Sequence, residues 1–181
     1  MTATVVHVLH TADLGPHRRR EVRALLDRAF DGEFEDTDWE HALGGLHAVI
    51  VEADRVVAHA ALVQRRLFYR GRALRTGYVE ALAVEEERRG RGYARLVMAE
   101  LERVVRAAYD LGALSAADGV DAFYRRRGWR LWQGPTSVLA PDGLTRTPDD
   151  DDSTYVLPPV DGLRLDLTGP IACDWRDGDV W

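Results

Sequence analysis

Lysine is missing from this 181-residue chain; all 24 of its Lys-or-Arg positions are arginine. A Walker phosphate loop needs a lysine after its second glycine, so that class of nucleotide site is excluded. Cysteine occurs once, at Cys173, which excludes an internal disulfide and a cysteine-built metal cluster. No apolar run approaches the ~18 residues that would span a bilayer. The first ten residues carry no basic segment ahead of a long apolar stretch, so no secretory leader is expected and the expected location is the cytoplasm. Positive charge is also scarce overall. The formal net charge is -6, which speaks against nucleic acid and for a cationic partner.

What remains is ordinary for a globular chain long enough to bury one core. No repeat or linker divides it, and a single domain over residues 1–181 is expected. Residues 5–10 alternate like a strand. Pro16 is suited to open a helix, and Val22, Leu25, Leu26, Ala29 and Phe30 fall on one helical face. Residues 31–40 read as acid-rich and irregular. Strands are expected over 46–52, 56–69 and 73–84, with turns at Ala53-Asp54 and Gly71-Arg72. A helix follows over 93–109, with Leu96, Val97, Leu101, Val104, Val105 and Ala108 as its apolar stripe. Then come a strand at 111–115 and a short helix over 118–126 that stops before Gly128. Late strands are expected at 129–132, 137–140 and 154–157. An acidic loop spans 149–152, and a tail runs from 158 to the end.

The most informative segment lies between the strand ending at Val84 and the 93–109 helix: Arg89-Gly90-Arg91-Gly92-Tyr93-Ala94. Two glycines permit a tight turn and a close backbone approach. The orphan amides of the first helical turn and the helix dipole favour an anion there, and the two arginines add forked donors. The segment lacks the third glycine of the G-x-G-x-x-G dinucleotide fingerprint. It reads as a phosphate or pyrophosphate cradle, or as a plain strand-to-helix turn with solvated arginines.

Two motifs carry a family resemblance. Arg89-x-x-Gly92-x-Ala94 resembles the loop with which GNAT acyltransferases grip the pyrophosphate of acyl-CoA. Phe123-Tyr124-Arg125-Arg126-Arg127-Gly128-Trp129 is similar to that family's second element, a short helix ending in aromatics and followed by glycine and an aromatic. Further stretches, among them Asp38-Trp39-Glu40-His41, Gly77-Tyr78-Val79-Glu80, Gly134-Pro135-Thr136-Ser137 and the closing Gly178-Asp179-Val180-Trp181, resemble the chromosomal aminoglycoside 2′-N-acetyltransferases over nearly the whole chain. The resemblance implies the α/β GNAT fold, a mixed and mostly antiparallel central sheet flanked by helices. It implies acetyl-CoA as cosubstrate, no metal, aminoglycosides bearing a 2′-amino group as acceptors, antibiotic resistance as the outcome, and a homodimer.

The same resemblance assigns roles by position. Leu82, Val84, Arg89, Gly90, Arg91, Gly92, Tyr93 and Ala94 would hold acetyl-CoA. Glu80 would serve as general base on the acceptor amine, directly or through water. Read from the strand alone, Glu80 is either such a base or an ion-pair partner of Arg65, Arg66 or Arg75. Tyr124 would protonate the leaving thiolate, or is a core aromatic. A polycationic acceptor calls for carboxylates. Asp38, Glu80, Ser115, Asp150, Asp179 and the terminal carboxylate of Trp181 are the candidate substrate contacts, with residues 158–181 closing the substrate site. The six histidines show no metal-ligand spacing and read as structural or surface residues. Cys173 would be needed only for a covalent acyl carrier, which a direct-transfer family does not use. Two other readings stand beside this one. One is an acetyltransferase for another amine, such as a cell-wall amino sugar or a polyamine. The other is a non-catalytic protein that sequesters aminoglycosides.

Overall fold

The computed structural model describes residues 4–117, 119–158 and 164–181. The chain forms two compact units, each assembled from two stretches: Met1–Val63 with Val79–Val104, and Gln64–Tyr78 with Val105–Trp181. Two long strands, β3 (Arg55–Tyr69) and β4 (Arg72–Val84), each give one part to either unit.

In the first unit, β1 (His7–His10) pairs antiparallel with β2 (Leu46–Glu52), and β2 pairs antiparallel with β3. The β2–β3 turn puts Ala53 and Asp54 at φ 46° and 66°. Two successive left-handed residues match the right-handed twist of a tight hairpin. Helix α1 (Gly15–Ala29) has Pro16 in its first turn, where no intrahelical N–H is needed. Its buried residues Val22, Leu25 and Leu26 are spaced three and four apart and pack with Leu14, Phe34, Val49, Val56 and Ala83. Burial of each of those leucines stabilises the unit by roughly 2 kcal/mol.

The acid-rich stretch is more ordered than the sequence suggests. Residues Asp36–His41 form a short helix, α2. Asp38 Oδ2 accepts the Glu35 amide at 2.9 Å, satisfying an N-terminal donor that would otherwise be orphaned. Helix α3 (Tyr93–Ala108) sits where the periodicity predicts it, but its buried line is displaced. Val97, Met98, Leu101 and Val105 are buried, Leu96 and Val104 are half-buried, and Ala108 is exposed.

The second unit contains β5 (Leu111–Ser115), α4 (Asp121–Arg125), β6 (Arg130–Leu131), β7 (Thr136–Ala140), β8 (Gly143–Arg146), β9 (Thr154–Leu157) and β10 (Ile171–Asp174). Its strands follow the order β6-β9-β5-β4-β3-β10-β7-β8. The pairs β4–β5 and β10–β7 are parallel; β10–β3, β5–β9, β6–β9 and β7–β8 are antiparallel. The mixed, mostly antiparallel sheet agrees with the expected fold class. Helix α4 is shorter than expected and begins at Asp121; the expected first residue, Asp118, lies outside the described residues. Gly128, at φ 92°, ends that segment in the left-handed conformation, and the Trp129 amide bonds back to the Tyr124 carbonyl at 3.2 Å.

Two strands of this unit escaped the sequence reading. β8 falls in a stretch to which the sequence pattern assigns no element, and β10 in what reads as tail. β10 lies between β3 and β7, with Cys173 opposite both Leu67 and Val138. The segment leading to it is packed against the chain near Gly134, where a Cβ would come 2.0 Å from the Gly169 carbonyl oxygen. The buried Trp132 ring donates to that same carbonyl from Nε1 at 3.0 Å.

Candidate active site

The first unit carries the Arg/Gly turn expected to cradle an anion. After β4 the chain makes a 3₁₀ turn, Glu86–Arg88, and then enters α3 through Arg89, Gly90, Arg91 and Gly92. Gly90 and Gly92 adopt φ 78° and 82°. A Cβ at Gly90 would meet nothing within 4 Å, so the requirement there is conformational rather than steric. The first helical bond runs from the Leu96 amide to the Gly92 carbonyl. The amides of Tyr93, Ala94 and Arg95 thus precede the intrahelical ladder and remain available to an anion. Arg89 and Arg91 are exposed. The arrangement fits a diphosphate: exposed guanidinium groups, open space at the glycine and a helix N-terminus on one short turn. Beside it lies a cleft of about 240 Å³ lined by Leu25, Arg28, Ala29, Val84, Glu85 and Arg89, among others.

A brace that the sequence reading missed holds this turn. Glu52, at the end of β2, accepts from Tyr93 Oη and from Arg88 Nε, the latter at 2.7 Å. The Tyr93 hydroxyl, and after it Arg88, hold the Glu52 carboxyl below its usual range. One carboxylate thus ties together the residues on either side of the Arg/Gly segment. Glu85 plays a similar part for the 3₁₀ turn, pairing with Arg28 at 2.8 Å.

Upstream of the cradle, Glu80, Leu82 and Val84 are half-buried on β4. Between the first two, Ala81 takes φ 52° inside the strand. A left-handed residue with a Cβ costs about 1–2 kcal/mol. Glycine would have flagged the position in the sequence; alanine leaves no mark. The Ala81 carbonyl accepts from His59 Nδ1 at 2.9 Å. Asp38, also in the first unit, is half-buried and spends one oxygen on the α2 cap.

The second unit gathers the other candidates. Tyr124 is buried against Trp129 and Tyr155, with ring centroids 6.2 and 5.4 Å away. Burial, reinforced by Tyr155, pushes its phenol up to about 12, so the proton stays on Oη at neutral pH. Ser115 Oγ lies 3.2 Å from Ser153 Oγ, whose own proton goes to the Asp150 carbonyl at 2.9 Å. The Asp150 amide bonds to the Thr147 carbonyl, and Thr147 Oγ1 accepts from Trp181 Nε1 at 2.9 Å. Ser115, Asp150 and Trp181 are thereby tied into one hydrogen-bonded neighbourhood through Ser153 and Thr147, two residues the sequence reading did not single out. The Trp181 ring is buried, and its main-chain oxygen accepts from Arg176 Nη2 at 3.0 Å.

Within the acidic clusters of this unit the carboxylates differ in what surrounds them. Asp151 accepts from Arg146 at 2.7 Å and from the Thr136 amide at 2.8 Å, and Arg146 above all holds it down to about 2. Asp174 pairs with the buried Arg65 at 2.9 Å. Asp150 differs: burial, and then the nearby Asp179 charge, push it up to about 6. A carboxylate crowded by desolvation and by a like charge gains from a cation. Of the arginines considered as partners for Glu80, Arg65 pairs with Asp174 and Arg75 with Asp110. Cys173 is buried and donates to the Val180 carbonyl, and burial pushes its thiol up to about 11. A buried, protonated thiol is a poor nucleophile. Among the described residues no group of His, Cys, Asp or Glu is placed to hold a metal ion, and no helix is long and apolar enough to cross a membrane.

A left-handed residue in β4 is thus followed by an Arg/Gly turn at the mouth of α3. An acetyltransferase (GNAT) domain matches residues 13–132, and the chain belongs to the GNAT family. Over 177 residues it is 56% identical to the aminoglycoside 2′-N-acetyltransferase of Mycolicibacterium fortuitum, covering 96% of this chain and 90% of that one. The fold is shared with more distant structures. The GNAT family N-acetyltransferase YhbS from Escherichia coli, solved in complex with CoA, aligns with a TM-score of 0.66 at 22% identity, covering 95% of this chain and 91% of that one. Escherichia coli ElaA aligns with a TM-score of 0.60 at 18% identity, covering 85% and 99%.

Proposed function

We propose that this protein transfers acetyl from acetyl-CoA directly to the 2′-amino group of aminoglycosides, and so confers resistance to them. The observation that carries the reading is the 56% identity to an aminoglycoside 2′-N-acetyltransferase across almost all of both chains. The Arg/Gly turn and the carboxylates of Glu80, Asp150 and Asp179 supply the chemistry that such a reaction needs.

When bound, acetyl-CoA supplies an acetyl group activated as a thioester. Arg89, Arg91 and the amides of Gly92, Tyr93 and Ala94, together with the turn at Gly90, would hold its pyrophosphate; the Leu82 and Val84 backbone would hold the pantetheine. The Leu82 N–H is the donor for charge developing on an acyl oxygen. Glu80 removes the proton from the acceptor ammonium, which at neutral pH is mostly charged. Tyr124 carries a proton at Oη that it can give to a departing thiolate. Asp38, Ser115, Asp150, Asp179 and Trp181 bind the polyamine sugar, the carboxylates by charge and Ser115 by its hydroxyl, and the segment that includes Asp179 and Trp181 covers the acceptor. The full chain 1–181 acts as one catalytic domain, in the cytoplasm. A homodimer forms through the free side of β8, where Leu144 is 69% exposed and Leu139, on β7, is 44% exposed.

The test is thiol release from acetyl-CoA in the presence of an aminoglycoside with a 2′-amine and of one with a 2′-hydroxyl. Turnover with the first alone supports the reading. Turnover with neither, but with a cell-wall amino sugar or a polyamine, assigns another acceptor. Tight drug binding without thiol release makes the protein a sequestering one.

A further inference from the structure

Two histidines that the reaction does not use stand in the first unit, fully buried. His47 lies on β2 and His59 on β3, and each is 0% exposed. In the β2–β3 register His47 faces Ala61 and Val49 faces His59, which brings the two rings to 5.2 Å on one face of the hairpin. His47 Nδ1 lies 2.9 Å from His59 Nε2, and Thr11 Oγ1 lies 2.8 Å from His47 Nε2.

The direction of every proton in this chain is forced by its last member. The Ala81 carbonyl can only accept, so His59 Nδ1 carries the proton that bonds to it at 2.9 Å. Burial lowers His59 to about 3 and His47 to about 4, so both rings are neutral at physiological pH. The neutral His59 ring then accepts at Nε2, which makes His47 Nδ1 the donor and His47 Nε2 an acceptor. Thr11 closes the chain: of the two acceptors in reach of its one hydroxyl proton, His47 Nε2 at 2.8 Å is nearer than the Gly45 carbonyl at 3.2 Å, and its oxygen accepts the Gly44 amide at 2.9 Å. The result is a one-way series, Thr11 to His47 to His59 to Ala81.

The series ends on the left-handed residue of β4, between Glu80 and Leu82. The Ala81 carbonyl and the Leu82 N–H belong to one planar trans peptide, so they point in opposite directions. An anchor on the carbonyl therefore sets where the Leu82 N–H points. A chain of aligned hydrogen bonds also polarises that peptide and strengthens its N–H as a donor. We propose that His59, oriented by His47 and Thr11, is a positioning residue for acyl transfer that locks the Ala81–Leu82 peptide so that the Leu82 N–H and the Glu80 side chain are held ready for the reaction. The inference rests on the acetyltransferase reading for its consequence, but its structural content can be tested without turnover.

The test joins a spectroscopic and a kinetic arm. In ¹⁵N-labelled protein without ligands, long-range ¹H–¹⁵N correlations are expected to show both His47 and His59 as neutral Nδ1–H tautomers from pH 6 to 8. An Nε2–H tautomer or an imidazolium at His59 overturns the proposal, whether or not the enzyme acts on any acceptor. Wild-type protein is then assayed first, and if it acetylates no amine it is the functional reading that fails. With an active acceptor, His59→Leu is expected to lower kcat about tenfold to a hundredfold while the acceptor KM stays within about twofold. His59→Asn presents an amide N–H in place of Nδ1–H and recovers most of that loss. A Leu variant with wild-type kcat, or an Asn variant no better than Leu, overturns the proposal. Should His59→Leu not fold, Thr11→Val removes only the outermost donor. It is expected to disturb the His47 tautomer and lower kcat severalfold, and a variant with unchanged tautomers and full kcat counts against the relay.

Discussion

Asp150 and Asp151 are neighbours in the chain whose carboxyl groups are shifted in opposite directions, Asp150 up to about 6 and Asp151 down to about 2. Arg146 and the Thr136 amide satisfy Asp151, whereas burial and Asp179 crowd Asp150. In a single acidic loop, one carboxylate is thus held by its partners while its neighbour is crowded by burial and a like charge. The sequence alone shows only a run of aspartates.

Asp150→Asn separates those roles. The native Asp150 pKa lies above its unfolded value, so the native state holds the proton more tightly. The associated stability is present below about pH 4 and is lost as pH rises through about 6. The variant is therefore expected to melt higher than wild type at pH 7.5 and at nearly the same temperature at pH 4. Its aminoglycoside KM should rise about tenfold, the scale of one charge-assisted contact. Paired melting curves and steady-state kinetics check both; an unchanged KM removes Asp150 from the acceptor site.

The cradle depends on two left-handed glycines. Gly90→Ala and Gly92→Ala should each weaken acetyl-CoA binding about fivefold to tenfold, since each imposes about 1 kcal/mol or more of backbone strain. Calorimetric titration with acetyl-CoA measures this. Affinity equal to wild type in both variants would mean that the turn is not the pyrophosphate site.

Glu52 gives a second handle on the same turn. Its carboxyl is held low by Tyr93 and Arg88, so its contribution is present above pH ~4.5 and fades as pH falls through the lower native value. Glu52→Gln is expected to weaken acetyl-CoA binding severalfold at pH 7 and to leave the aminoglycoside KM alone. A change in acceptor KM with no change in donor affinity would contradict the bracing role.

Glu80→Gln tests the proton path. Its kcat at pH 7 should drop about a hundredfold or more, with both substrates still bound. Tyr124→Phe should slow turnover while acetyl-CoA affinity holds. Full activity in either variant withdraws that residue's assignment.

Cys173 is expected to react with a thiol reagent only after denaturation, because its thiol is buried and held near 11. Rapid labelling of the native protein would show that β10 opens readily.

Much of the fold is legible in the chain because its signals are local. Strict apolar patterns gave the strands at 46–52 and 111–115, and Pro16 and Gly128 mark helix ends through their own backbone preferences. The cradle is readable for the same reason, since its glycines are required by φ. The features that went unread are nonlocal or belong to the backbone. β10 is four residues long and becomes a strand only because β3 and β7 flank it. Ala81 is left-handed with nothing in its side chain to say so. The Thr11–His47–His59 series joins residues up to 48 positions apart on three elements, and no spacing rule collects them. Asp38 and Asp150 look alike as acids in a loop; a helix cap and a neighbouring Asp179 distinguish them.

The position of β10 also constrains how the molecule is made. Residues Ile171–Asp174 lie between β3 and β7 in the second unit, yet they are translated after both. Until they emerge, the β7–β8 hairpin has no strand through which to join its sheet, and β3 exposes an unpaired edge there. The unit is thus an open, adhesive intermediate until that later strand has been made. A nonsense or frameshift lesion that spares everything up to Pro170 would still yield a chain that aggregates.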